Sequence, residues 1–221
     1  MRFDLPRAGH VVFTTRAQDS LSSVGGTDAE YGSGARDRLC RQLGLRGLAR
    51  GYQVHGATVL RVRGHGQILA PVDVEADGQA TTLHGVGVMV LTADCLPIAL
   101  GTDDAVAMVH AGWRGLAAGV LEEGVCALRE LGDEGDIHAV IGPGAGPCCY
   151  EVGEEVHAAF GGAHRTGRHI DLKALARDRL HTAGVVEVQD VEMCTICDER
   201  FFSHRREHAL SGRQAGVAWL C

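Results

Sequence analysis

Apolar positions along the chain fall into short blocks separated by polar and glycine-rich joints. Val11 to Thr15 is β-branched and aromatic and predicts a first strand. A Gly/Ser/Asp-rich stretch from Asp19 to Gly34 then reads as a long loop. Leu39 and Leu43, four apart, predict a short helix from Arg36 to Leu43. The middle of the chain reads as strand after strand. Ala57 to Val62 alternates, and Val86 to Leu91 is a continuous apolar run of the kind buried on both faces. Leu96 to Leu100 and Ala105 to Val109, joined by Gly101-Thr102-Asp103-Asp104, predict a hairpin. Leu116, Val120, Leu128 and Leu131 form one stripe of a helix from Gly115 to Leu131. Ile137 to Ile141 is another strand and runs into Gly142 to Pro147. Val152, Val156 and Phe160 predict a helix from Glu151 to Phe160, and Asp171 is placed to cap one reaching His181. Val185 to Val191 and Gly216 to Leu220 are the closing strands. Strands outnumber helices and often follow one another directly, which predicts an α+β protein with mixed sheet. No linker-like stretch divides residues 1–221, so a single domain is expected.

Composition narrows the function classes. A net charge of −7 argues against broad binding to nucleic acid or an anionic membrane. No apolar run approaches the ~18 residues of a membrane span, and the start of the chain lacks the features of a signal peptide. The expected address is the cytoplasm. There the eight cysteines are expected to be thiols, acting as metal ligands, nucleophiles or core residues. Of the 31 glycines, many sit beside His, Cys, Trp and Pro, as in a backbone shaped around a site.

Three segments concentrate the chemistry: Gln53-Val54-His55-Gly56, Thr92-Ala93-Asp94-Cys95-Leu96-Pro97 and Val109-His110-Ala111-Gly112-Trp113-Arg114-Gly115. Each places a soft or borderline ligand near the end of an apolar strand. Two imidazoles and a thiolate, from His55, Cys95 and His110, suit Zn²⁺ and leave a fourth position open for water or substrate. Spacing alone leaves open that these are separate core or surface residues, because no tight paired motif joins them. Asp94 next to Cys95 is expected to point the other way. Cys194 and Cys197 form a lone Cys-x-x-Cys; without a second pair they read as ordinary thiols. The segment around His204 and His208 reads as irregular.

Taken together, these segments resemble a known family. They are joined by Ile141-Gly142-Pro143, Cys149-Tyr150-Glu151-Val152, Cys194-Thr195 and Phe201-Phe202-Ser203-His204-Arg205-Arg206. In that order they are similar to the laccase-domain family, whose members are called multicopper polyphenol oxidases or purine nucleoside phosphorylases. The resemblance runs from about residue 53 to the C-terminus and is weaker before it, where the Gly-rich loop diverges. It implies a single domain of layered mixed β-sheets flanked by helices, and metal held by His55, Cys95 and His110, which are also the implied catalytic residues. It implies phosphorolysis of adenosine, inosine, guanosine or S-methyl-5′-thioadenosine, with adenosine deaminase activity. The expected partners are a purine nucleoside and phosphate, with no nucleic acid and no membrane. Arginine's planar fork suits phosphate, which makes Arg114, Arg205 and Arg206 the candidate phosphate ligands, with Arg213 a further one. The expected cofactor is zinc, with copper possible because such a site binds it tightly. Three other readings remain at this point: a copper polyphenol oxidase, for which no His-x-His pair is present, a hydrolase editing cell-wall peptidoglycan precursors with Cys95 as nucleophile, and a non-enzymatic binding partner that keeps the metal for structure, against which an open fourth coordination position would speak.

Overall fold

The computed structural model describes residues 1–5, 9–22, 29–64, 74–132 and 134–221. The chain forms strands β1 (Arg2–Asp4) and β2 (Gly9–Phe13), helix α1 (Ala29–Gln42), and strands β3 (Gly47–Ala49), β4 (Val59–Val62), β5 (Gly78–Thr81), β6 (Val86–Thr92), β7 (Leu96–Gly101) and β8 (Val106–Ala111). Helices α2 (Trp113–Ala118) and α3 (Val120–Glu130), strand β9 (Ile137–Ile141) and helix α4 (Glu154–Ala159) follow. The rest is β10 (Arg165–Thr166), β11 (His169–Ile170), α5 (Leu172–Thr182), β12 (Val185–Asp190), α6 (His204–Glu207) and β13 (Gln214–Leu220). A five-stranded sheet runs β1-β2-β13-β6-β3 and a six-stranded sheet runs β12-β9-β7-β8-β5-β4; both are mixed, and β10-β11 is a small separate pair.

Side-chain alternation stacks the layers. Along β7 and β8, Ile98, Leu100, Ala107 and Val109 face Leu116, Leu121, Leu128 and Ala176, so one side of the six-stranded sheet is covered by α2, α3 and α5. Ala99, Val106 and Met108, one residue out of phase, face Val11, Phe13, Val88 and Ala218 of the five-stranded sheet. Met89, Val217 and Trp219 emerge on that sheet's far side, where Ala35 and Leu39 of α1 cover them. The order is therefore helix, sheet, sheet, helix, and β7 and β8 are buried on both faces.

Several elements depart from the sequence reading. The expected loop from Asp19 to Gly34 includes residues 23–28, which lie outside the described residues, and its far end is helical. Helix α1 starts at Ala29 rather than Arg36, because packing of Ala35 and Leu39 outweighs the poor propensity of the Gly-Ser-Gly segment. The helix expected from Gly115 to Leu131 starts at Trp113 and breaks at Gly119, whose φ of 90° is left-handed. Helix α4 begins at Glu154, not Glu151, because Glu151 instead bridges His169. The segment after Ser203 is one helical turn rather than irregular, since the Ser203 hydroxyl accepts from the Arg206 amide. The hairpin of β7 and β8 and the Asp171 cap, which accepts from the Lys173 and Ala174 amides, are as expected. Among the described residues, no helix is long and apolar enough to cross a membrane.

Candidate metal centre

The register of β7 on β8 pairs Leu96 with Ala111 and Pro97 with His110. Cys95 therefore lies one step beyond the sheet, opposite Gly112, and shares with His110 the face turned toward the other sheet. His55 reaches the same point from the turn before β4. The ligand atoms of His55, Cys95 and His110 lie within 4.8 Å of one another. The two imidazole rings meet edge-on, with centroids 4.9 Å apart. His110 is buried and His55 exposed, so the cluster opens to one side.

Gly112 makes this convergence possible. A Cβ there would stand 3.0 Å from Cys95 Sγ and 3.1 Å from His55 Cδ2. Gln53 fixes the turn to β6: its amide accepts from the Leu91 N–H and donates to the Leu91 carbonyl, both at 2.8 Å.

The residue that organises the centre is Asp77, which the sequence reading did not single out. It is fully buried just before β5. Its Oδ2 accepts from the Val54 and Gly56 amides at 3.1 and 2.7 Å. Its Oδ1 accepts from the His55 amide at 3.0 Å and meets His110 Nδ1 at 2.7 Å. One carboxylate thus pins the turn in which His55 holds a left-handed φ of 61°, and fixes the His110 ring so that Nε2 faces the cluster. No periodicity marks this aspartate; its meaning exists only in the fold.

The electrostatics suit a ligand set. Burial pushes the Cys95 thiol up, but the His110 and His55 imidazoles beside it outweigh this and bring it down to about 6. Burial lowers His110, yet the Cys95 thiolate and the Asp77 carboxylate raise it to about 9. Without metal, the pair is a thiolate beside an imidazolium near neutral pH. A soft thiolate with two imidazoles fits zinc with three protein ligands and an open fourth position.

A cavity of about 370 Å³ adjoins the cluster, lined by His55, Cys95 and His110 together with Arg50, Tyr52, Thr92, His204 and Arg213. That is in the range of small-ligand sites. The Arg50 guanidinium is half-buried beside the like charge of Arg36, and Arg213 is also desolvated. Tyr52 stands exposed at the rim, and Thr92 Oγ1 is buried with no partner among the described residues.

The three arginines expected to hold phosphate are elsewhere. The Arg206 guanidinium donates to the carbonyls of Thr195, Ile196 and Phe201 and to Glu207, and so braces the chain. Arg205 donates to the Glu151 carbonyl at 2.7 Å and lines a second cavity of about 350 Å³ with Trp113 and Tyr150. Arg114 is exposed and stacks on Trp113 at 4.2 Å. Both act electrostatically on Tyr150, whose hydroxyl is pushed up to about 12 by burial and then by Cys95. Asp94, in the turn between β6 and β7, does point away from the cluster. It accepts from Thr195 Oγ1 at 2.7 Å, Ser203 Oγ at 3.1 Å and the Arg205 amide at 2.7 Å, tying the C-terminal loop to the centre.

Comparison with known proteins accords with this geometry. The family described as multi-copper polyphenol oxidoreductase laccase matches residues 10–221. A purine nucleoside phosphorylase of Xylella fastidiosa is 45% identical over 203 residues, covering 84% of this chain and 77% of that one. One from Corynebacterium glutamicum is 35% identical over 231 residues, covering 97% and 92%. Among solved structures, a Neisseria meningitidis protein superposes with a TM-score of 0.85 at 29% identity, over 100% of this chain and 98% of that one. YlmD from Geobacillus stearothermophilus gives 0.82 at 27% identity, over 99% and 98%.

Proposed function

The chain belongs to the multi-copper polyphenol oxidoreductase laccase family, and on that premise we propose that it is a zinc-dependent purine nucleoside phosphorylase. The observation that carries the reading is one cavity in which a His-Cys-His ligand set, two desolvated guanidinia and an exposed tyrosine face a common space. The relatives named purine nucleoside phosphorylase support the same activity.

The residues divide the work as follows. His55, Cys95 and His110 hold the zinc, which when bound supplies a Lewis acid to polarise an oxygen in the cavity. Asp77 sets the tautomer and position of His110. Arg50 binds phosphate, whose charge relieves its like-charge crowding with Arg36, and Arg213, whose Nη1 is held by the Ser211 and Gly212 carbonyls, offers its remaining donors to the same group. Tyr52 offers a face for a purine ring, and Thr92 Oγ1 a hydrogen-bonding group for substrate. A phosphate oxygen forms a bond to the ribose C1′ while the C–N glycosidic bond breaks. Its electron pair leaves with the purine, which takes up a proton, and ribose 1-phosphate remains.

Adenosine, inosine, guanosine and S-methyl-5′-thioadenosine are the proposed substrates, with adenosine deamination a second activity, in a cytoplasmic protein whose residues 1–221 form one domain. A multicopper oxidase is less well supported: the two metal-competent groups among the described residues are one His-Cys-His set and one all-cysteine set, and neither is a histidine-rich cluster. The test is to incubate zinc-replete protein with each nucleoside, with and without phosphate, and follow free base, ribose 1-phosphate and deaminated nucleoside. Base release that requires phosphate supports the proposal. Zinc-replete protein that releases no base with any of the four overturns it.

A further inference from the structure

The parallel pairing of β9 with β12 ends at Ile141 opposite Asp190, so the two following loops leave the six-stranded sheet side by side. The backbone continues the pairing beyond the strands. Gly144 bridges Cys194, the Gly144 amide donates to the Met193 carbonyl, and the Thr195 amide donates to the Gly144 carbonyl at 2.9 Å. This brings Cys148 and Cys149 of the first loop against Cys194 and Cys197 of the second. The second cysteine pair that a metal site requires is thus supplied by adjacent residues far away in sequence, which is why Cys194-x-x-Cys197 looks solitary in the sequence.

We propose that Cys148, Cys149, Cys194 and Cys197 hold a second, structural zinc ion. Their four sulfurs lie within 4.8 Å of one another, with Cys149 and Cys197 at 2.8 Å and Cys148 and Cys197 at 3.4 Å. Four thiolates around one zinc at about 2.3 Å would stand about 3.8 Å apart, so the cluster has the size of a single-ion site. Four protein ligands close the coordination sphere, the structural pattern, in contrast to the three at the candidate centre. The Cys194 sulfur also accepts from the Gly146 amide at 3.2 Å, with the Ile196 and Cys197 amides directed at it. Amides turned toward a sulfur favour the thiolate form that a metal requires. A disulfide would join only two of these thiols, yet Cys197 stands against both Cys148 and Cys149.

The position gives the ion a purpose. The loop it fastens sends Thr195 Oγ1 to Asp94 beside Cys95, and its carbonyls at Thr195 and Ile196 receive the Arg206 guanidinium. The ion clamps the segment that leads to α6, and hence to His204 at the cavity, onto the sheet.

The test is independent of the catalytic reading. Zinc is counted by elemental analysis in the wild-type protein, in Cys148→Ser/Cys197→Ser, and in Cys95→Ala/His110→Ala, each purified without added metal. The expectation is that Cys95→Ala/His110→Ala retains one zinc per chain and that the Cys148→Ser/Cys197→Ser change removes one from the wild-type total. Iron or no metal in Cys95→Ala/His110→Ala overturns the proposal, as does an unchanged total in Cys148→Ser/Cys197→Ser. A measurement on wild-type protein avoids any folding defect of the variants. Cys148 and Cys197 are exposed, as are Cys126 and Cys221. With zinc bound, brief alkylation followed by peptide mass spectrometry should label Cys126 and Cys221 but leave Cys148 and Cys197 unlabelled until a chelator is added. Equal labelling of all four before chelation, or a disulfide among the four clustered cysteines, overturns the proposal.

Discussion

Replacing Asp77 by Asn tests how the centre is held together. The carboxylate accepts at both oxygens: Oδ2 from the Val54 and Gly56 amides, Oδ1 from the His55 amide and His110 Nδ1. An amide of the same shape keeps one acceptor oxygen and presents an NH₂ to the other pair of donors. Whichever way it turns, two donors in a buried site lose their acceptor. Each such loss costs about 1–3 kcal/mol, so the fold should lose roughly 2–4 kcal/mol after relaxation. That is a large fraction of the ~5–15 kcal/mol typical of a domain. His110 also loses the partner that orients its ring, and groups in that role are worth about 10–100-fold in metal affinity. The assay is zinc competition against a chromophoric chelator, with urea unfolding of the metal-free protein alongside. It is run on a Cys148→Ser/Cys197→Ser background so that one site is read. Zinc affinity within about twofold of the parent and an unchanged urea midpoint would refute the role given to Asp77.

Four other outcomes are expected. Gly112→Ala places a methyl 3.0 Å from Cys95 Sγ at a residue whose φ of −76° strains no side chain. Turnover should fall by about tenfold or more while the thermal midpoint stays close to wild type, because the ligands are displaced and the fold is not; full activity would show that they tolerate displacement. Zinc binding to the His-Cys-His site at pH 7 should release about one proton, since Cys95 near 6 is already a thiolate while His110 near 9 must give its proton up. Above pH 9 the release should vanish; titration calorimetry in buffers of different ionisation enthalpy reads this, and no release at pH 7 would contradict it. Arg50→Ala and Arg213→Ala should each raise the KM for phosphate by about 10- to 100-fold, more than that for nucleoside, as expected from loss of one charge-assisted contact of about 1.5–3 kcal/mol; equal effects on both substrates would argue against phosphate. Phe13→Ala removes a fully buried ring between the two sheets and should cost about 3–5 kcal/mol by urea unfolding.

The strands that the sequence made legible are those whose apolar residues speak for themselves. Val86 to Leu91 and the β7–β8 hairpin are buried on both faces, and hydrophobic runs report that directly. Strand β5, Gly-Gln-Ala-Thr, is as buried as they are but has no such run, so it was invisible. The edge strand β1 is only three residues long, and the equally short β3 owes its pairing to β6, distant in sequence. The site divides in the same way. His55, Cys95 and His110 stand in compact motifs, and the fold brings them together. Asp77 and Arg50 have no motif, and Cys194-x-x-Cys197 shows only half of its cluster, because their partners come from other segments of the chain. A guanidinium held by carbonyls, as that of Arg206 is, looks in sequence like one that is free for phosphate.

The central claim is that His55, Cys95 and His110 hold the metal on which the chemistry depends. Crystals of the zinc-replete protein, with diffraction data collected on both sides of the zinc absorption edge, test it most directly. An anomalous peak about 2.3 Å from Cys95 Sγ and about 2.0–2.1 Å from one ring nitrogen of each histidine is the predicted result. An empty density at that point, in crystals whose four-cysteine cluster does carry zinc, would contradict it.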